Sequence, residues 1–195
     1  RIGVSRAREE LEALVGEPVG EVTGDADEMP SNRVLVGTEA VLRRIDRADG
    51  VAFLELDQEL LAPRYRAAEQ AMALLARAAR VVGGRGDGGR LLLQTRVPRH
   101  DVVDAVLHAD PSRLVEPERS RRKLLRFPPV TALAAVSGEA APAYVDRVPP
   151  TVERLGPDAG RWLLRAPDHA TLCDALAATP RTGGRLRIEV DPARV

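Results

Sequence analysis

The stretch from Val51 to Thr95 constrains the fold most. Val51 to Leu56 is a continuous apolar run, the character of a strand covered on both faces in a parallel sheet. It ends in acidic residues. From Pro63 to Arg80, Tyr65, Met72, Leu75 and Ala79 recur at helical spacing among many alanines, and Pro63 opens the predicted helix where its missing N–H is harmless. The glycine-rich loop from Gly83 to Gly89 then leads to a second apolar run, Leu91 to Thr95. Strand and helix alternating over short links argue for a parallel α/β sheet.

The flanking segments extend this reading. Ser5 is the expected N-cap of a first helix that Gly16 ends, followed by strands at Val19 to Val22 and Val34 to Val36 and a short helix from Glu39 to Arg43. Helices are expected from His100 to Ala109 and from Ser112 to Leu125, until Phe127-Pro128-Pro129 stops the chain from winding further. Beyond it come a strand (Leu133 to Ser137), a helix (Ala140 to Val148), a strand (Arg161 to Ala166), a helix capped by Asp168 and running to Ala178, and a strand (Leu186 to Val190). That order suits a small ferredoxin-like or ribosomal-S10-like α/β sandwich. The expected division is therefore a parallel-sheet lobe over 1–110, a connecting helix over 111–126 and a C-terminal α/β domain over 127–195.

With 44% hydrophobic and 30% charged residues, the composition is that of a soluble globular protein. No apolar run approaches the roughly 20 residues of a membrane span. The amphipathic, acid-containing start does not read as a signal peptide, and a chain opening at Arg1 without Met reads as a piece of something longer. The lone Cys173 permits neither an internal disulfide nor a zinc ribbon, and so few thiols point to a cytoplasmic home. Lys123 is the only lysine among 29 basic residues, an arginine bias that a GC-rich genome explains. Net charge is zero but unevenly placed: 7 basic and 14 acidic residues over 1–62, 14 and 7 over 63–126, and 8 and 8 over 127–195. Either the middle faces a polyanion or the acidic and basic parts face each other.

A Walker A loop needs G-x-x-x-x-G-K-[ST], and the single lysine stands in Arg121-Arg122-Lys123-Leu124, so the chain has no such loop. The 83–89 glycine run reads as a surface turn, Asp27-Glu28 as loop, and Cys173 as a buried structural thiol on an apolar helix face. His100, His108 and His169 are too scattered for a metal site; His100 is expected to cap or flank a helix. No G-x-S-x-G frame surrounds Ser137 or Ser112.

Pro63, Tyr65, Arg66, Ala67 and Glu69 spell P-x-[FY]-R-A-x-E. With Val34 to Glu39, Glu55-Leu56-Asp57, Gln94-Thr95, Pro98-Arg99-His100, Asp110, Glu118, Arg122, Phe127-Pro128-Pro129 and Val190-Asp191-Pro192, in that order, the chain resembles the C-terminal half of the PriA family of primosomal replication-restart helicases. It is similar above all to the actinobacterial members with eroded helicase motifs. The resemblance implies a degenerate RecA-like second helicase lobe followed by the family's C-terminal domain. The first motor lobe, the zinc insertion and the N-terminal DNA-binding domain would lie upstream, and with them any ATP or zinc site. Family motif VI supplies arginines to the γ-phosphate, and an arginine finger works at one position only. Those positions fall on Val81 and Gly84, so the resemblance implies no ATP hydrolysis and no cofactor in this chain.

Three functions follow. The first is a non-catalytic DNA-binding part of a replication-restart primosome, meeting forked or branched DNA, with single-stranded-DNA-binding protein and other primosome proteins as partners by resemblance. The second is lobe 2 of an active 3′–5′ helicase, and the third is a protein-docking module. The candidate nucleic-acid contacts are Arg77, Arg80 and Arg85 beside the glycine loop, and Arg119, Arg122, Lys123 and Arg126 on the helix before Phe127. With two Phe, two Tyr and one Trp, base stacking is sparse.

Overall fold

A computed structural model describes residues 3–24, 28–84, 86, 88–181 and 183–193; Asp27, Arg85 and Asp87 lie outside them. The chain is mixed α/β and divides into two compact units, one of Arg1–Gln58 with Gln70–Val97, the other of Glu59–Glu69 with Pro98–Val195.

In the first unit, α1 (Val4–Val15) stops at Gly16, whose φ of 71° lets its N–H turn back to the Glu12 carbonyl. Its N-cap is Gly3 rather than Ser5; the Ser5 hydroxyl instead reaches the Glu21 carboxylate at 3.3 Å. β1 (Val19–Val22) pairs in parallel with β2 (Val34–Gly37), Val22 opposite Gly37. A Cβ on Gly37 would stand 1.9 Å from the Val22 carbonyl oxygen, so only glycine fits there. α2 (Val41–Arg44) follows, then β3 (Gly50–Phe53), which pairs in parallel with β4 (Arg90–Leu93). The parallel pairing matches the pattern of the sequence, but among the described residues it forms two separate two-stranded ladders, not one sheet. Past the second ladder, α3 (Asp57–Leu60) is anchored by Asp57, which accepts the Thr95 hydroxyl at 2.5 Å and the Arg96 N–H at 3.0 Å.

The helix expected from Pro63 begins later. α4 covers Ala67–Val82, and residues 63–66 form turns, with Ala67 N–H donating to the Arg64 carbonyl at 3.0 Å. Proline tolerates a first helical turn but does not compel one, and here Tyr65 is used elsewhere, as described below.

In the second unit, α5 (Asp101–Leu107) is capped by His100, whose Nδ1 accepts the Val102 N–H at 3.2 Å. A 3-10 turn (Pro111–Leu114), capped by Asp110, runs into α6 (Val115–Leu125). The chain then makes β5 (Ala132–Ser137), α7 (Ala141–Val145), β6 (Glu153–Asp158), β7 (Arg161–Ala166), α8 (His169–Ala178) and β8 (Arg187–Val190). These strands form one antiparallel sheet in the order β6-β7-β5-β8. Alternate residues of β5, Ala132, Ala134 and Val136, face a core completed by Tyr144, Val145, Leu164 and Leu172. Each fully buried branched or aromatic side chain contributes about 1.5–3 kcal/mol. Asp168 caps α8 by accepting the Thr171 N–H at 2.7 Å.

Two expectations are corrected here. Strand β6 has no counterpart in the sequence reading: it is polar, contains Gly156-Pro157 and lies at a sheet edge, where proline is tolerated and alternation is weak. Cys173 is exposed, not buried, because Leu172 and Ala175 carry the inward face of α8. The compact units change over after Gln58, within α3, after Glu69, within α4, and after Val97. The 59–69 segment belongs to the second unit, where Tyr65 stacks on Phe127 and its hydroxyl bonds to the Pro192 carbonyl.

Candidate nucleic-acid interface

The P-x-Y-R-A-x-E residues and α6 meet within the second unit. The Tyr65 ring stacks on Phe127 with centroids 5.2 Å apart, and its hydroxyl donates to the Pro192 carbonyl at 3.0 Å. The guanidinium carbons of Arg66 and Arg122 lie 5.1 and 5.7 Å from the centre of the same ring, within cation–π range.

Arg122 is the node. Its Nη1 donates to the Pro128 carbonyl at 2.9 Å, Nη2 lies 2.8 Å from Glu69, and Nε lies 3.4 Å from Glu118. The Nε and Nη2 hydrogens do not point along those lines, so the two carboxylate contacts are charge contacts rather than directed hydrogen bonds. Arg122 is 8% exposed and Glu118 7%. Charges at that depth persist only when paired. Arg122 thus joins α6 to the signature segment and is turned away from any external phosphate.

The other candidates on this helix point outward. Arg119 and Lys123, four apart on one face, are exposed and have no ion-pair partner among the described residues. Arg121 is engaged with Glu118 and, at 3.3 Å, with Asp101. Arg126 follows the last turn of α6 with φ 55° and meets Glu153 at 3.2 Å. Of the four α6-region candidates, the structure therefore sets Arg119, Lys123 and Arg126 on the outside and Arg122 within. The signal that could have singled out Arg122 was the Glu118–Arg122 spacing of four, with Glu69 as a further acid in the signature.

In the first unit, Arg77 and Arg80 are exposed on α4. Val81, which the family resemblance aligns with one finger position, is 7% exposed, and its carbonyl accepts the Ala48 N–H at 3.1 Å.

A cavity of about 430 Å³ in the second unit is bordered by Tyr65, Phe127, His100, Arg121 and Arg122, among others. Burial pushes the His100 imidazole below its ordinary value, and nearby Arg121 acts the same way, against the opposing pull of Asp101. A neutral ring is what the cap to Val102 requires, since Nδ1 must accept. Among the described residues no group of three His, Cys, Asp or Glu side chains is arranged to hold a metal ion, and no helix is long and apolar enough to cross a membrane.

The arrangement defines a mixed α/β chain in which a bolted helix carries a basic outer face. No family model matches it. It is 34% identical over 104 residues to the replication restart protein PriA of Treponema pallidum, covering 51% of this chain and 16% of that protein. It is 32% identical over 168 residues to the probable replication restart protein PriA of Mycobacterium leprae, covering 80% and 25%. With the replication restart protein PriA of Synechocystis the identity is 30% over 108 residues, covering 54% and 12%. The chain is thus similar to several PriA proteins at modest identity, and spans a quarter of their length or less.

Proposed function

We propose that this chain is the DNA-contacting, non-hydrolysing part of a replication-restart protein. The observation that carries the reading is the division of labour on α6. Arg122 is spent internally, while Arg119 and Lys123 are exposed and unpaired among the described residues, with Arg126 one turn beyond. Such a face suits phosphate contact, which fixes position without reading sequence. Similarity to proteins named for replication restart supports the setting. The reading extends to a degenerate RecA-like lobe in the first unit and a ferredoxin-like sandwich in the second. The strand–helix–strand–strand–helix–strand order with β6-β7-β5-β8 pairing supports the latter. It further includes forked or branched DNA as the substrate, primosome proteins such as single-stranded-DNA-binding protein as partners, and a cytoplasmic location.

Absence of hydrolysis rests on the sequence, which has no Walker lysine and has Val81 and Gly84 at the finger positions. An ATPase assay on this chain with and without DNA is expected to show no turnover. DNA-stimulated turnover that disappears in Arg80→Ala would contradict the reading. A specific observation favours a second reading, a protein-docking module: Leu124 is 82% exposed and Leu125 49% at the same helix end.

A further inference from the structure

Arg126 sits just past α6 in the left-handed region that glycine usually occupies. Its backbone is pinned, because its carbonyl accepts the Thr131 hydroxyl at 2.6 Å and the next amide, Phe127 N–H, donates to the Arg122 carbonyl at 2.9 Å. Movement is left to the side chain. Its Nη1 lies 3.2 Å from Oε2 of Glu153 on β6, and that same oxygen lies 3.6 Å from Nη1 of Arg165 on β7. The two cations sharing this carboxylate differ in exposure, the Arg126 side chain being 58% exposed and that of Arg165 14%. Water screens the outer contact far more than the inner one, so the outer contact is the weaker. A phosphate, with charge-assisted bonds to a planar guanidinium, competes well against such an exposed carboxylate.

We infer that Arg126 is a releasable phosphate contact and that Glu153 is an affinity-setting residue that competes with the nucleic-acid backbone for it. On binding, the phosphate takes the Arg126 guanidinium and Glu153 keeps Arg165. The inference rests on the DNA-contacting reading above, and names a residue, Glu153, that opposes it.

A double-mutant cycle in this chain tests it, read by anisotropy of a fluorescein-labelled blunt duplex. Glu153→Gln is expected to tighten binding about two- to fivefold, the size of one exposed charge contact. Arg126→Ala is expected to weaken binding and to lower the log–log salt slope by about one. In the Arg126→Ala background, Glu153→Gln is expected to change nothing. Equal tightening in both backgrounds would make the effect a long-range one and overturn the inference, as would no tightening at all. Loss of dependence on Arg119 and Lys123 would instead overturn the DNA-contacting reading itself. Should thermal melts find Glu153→Gln unfolded, Glu153→Asp serves in its place, since shortening the carboxylate weakens its reach to Arg126 and predicts the same coupling.

Discussion

Tyr65 lies on Phe127 with ring planes 23° apart, although 62 positions separate them in the chain. The stack holds the signature segment to the end of α6, and the hydroxyl adds a bond to Pro192. Tyr65→Phe should therefore cost about 0.5–1.5 kcal/mol by losing that hydrogen bond while keeping the stack. Tyr65→Ala, which removes both, should cost about 3 kcal/mol or more. Urea unfolding of the two variants checks the order; equal losses would mean the ring packing contributes nothing.

Arg122 offers the sharpest test of a buried charge. Replacing it with Met leaves the buried Glu118 carboxylate to Arg121 alone and removes the bond to the Pro128 carbonyl, and unfolding free energy should fall by about 1–3 kcal/mol. Replacing both residues, Arg122→Met with Glu118→Leu, should recover part of that loss, because the buried carboxylate left with one exposed partner disappears too. A double variant less stable than the single would refute this account of the node.

His100 should give the protein a pH-dependent component of stability. Its folded-state value lies below the ordinary 6.5, so the unfolded chain binds a proton more readily. The contribution is complete above about pH 6.5 and is lost as pH falls from there through the folded value. His100→Asn keeps a capping side chain that does not titrate, and melting temperatures between about pH 5 and 7.5 should then vary less than in the parent.

The helix stops were legible in the residues. Gly16 takes its positive φ, His100 and Asp168 accept the amides their positions imply, and Phe127-Pro128-Pro129 ends α6. What hid was tertiary. Nothing local announces that Pro63 to Arg66 stays unwound, since its reason is a stack on a ring far along the chain. β6 hid because an edge strand needs no apolar alternation. On α6, helical spacing alone set Arg119, Arg122 and Arg126 on a common face, and only packing against Glu69 and Tyr65 turned Arg122 inward.

Cys173 should react fully with a thiol reagent in the native protein, because it is exposed on α8. Labelling that requires denaturant would place it back in the core.

The most direct measurement is the salt dependence of duplex binding by Arg119→Gln/Lys123→Gln beside Arg121→Gln. The first variant removes two outward cations and should lower the log–log slope by about two, weakening binding alike for every DNA sequence. Arg121, held by Glu118 and Asp101, serves as the control and should leave the slope unchanged. An unaltered slope in Arg119→Gln/Lys123→Gln, with duplex still bound, would contradict the claim that the outer face of α6 meets the DNA backbone.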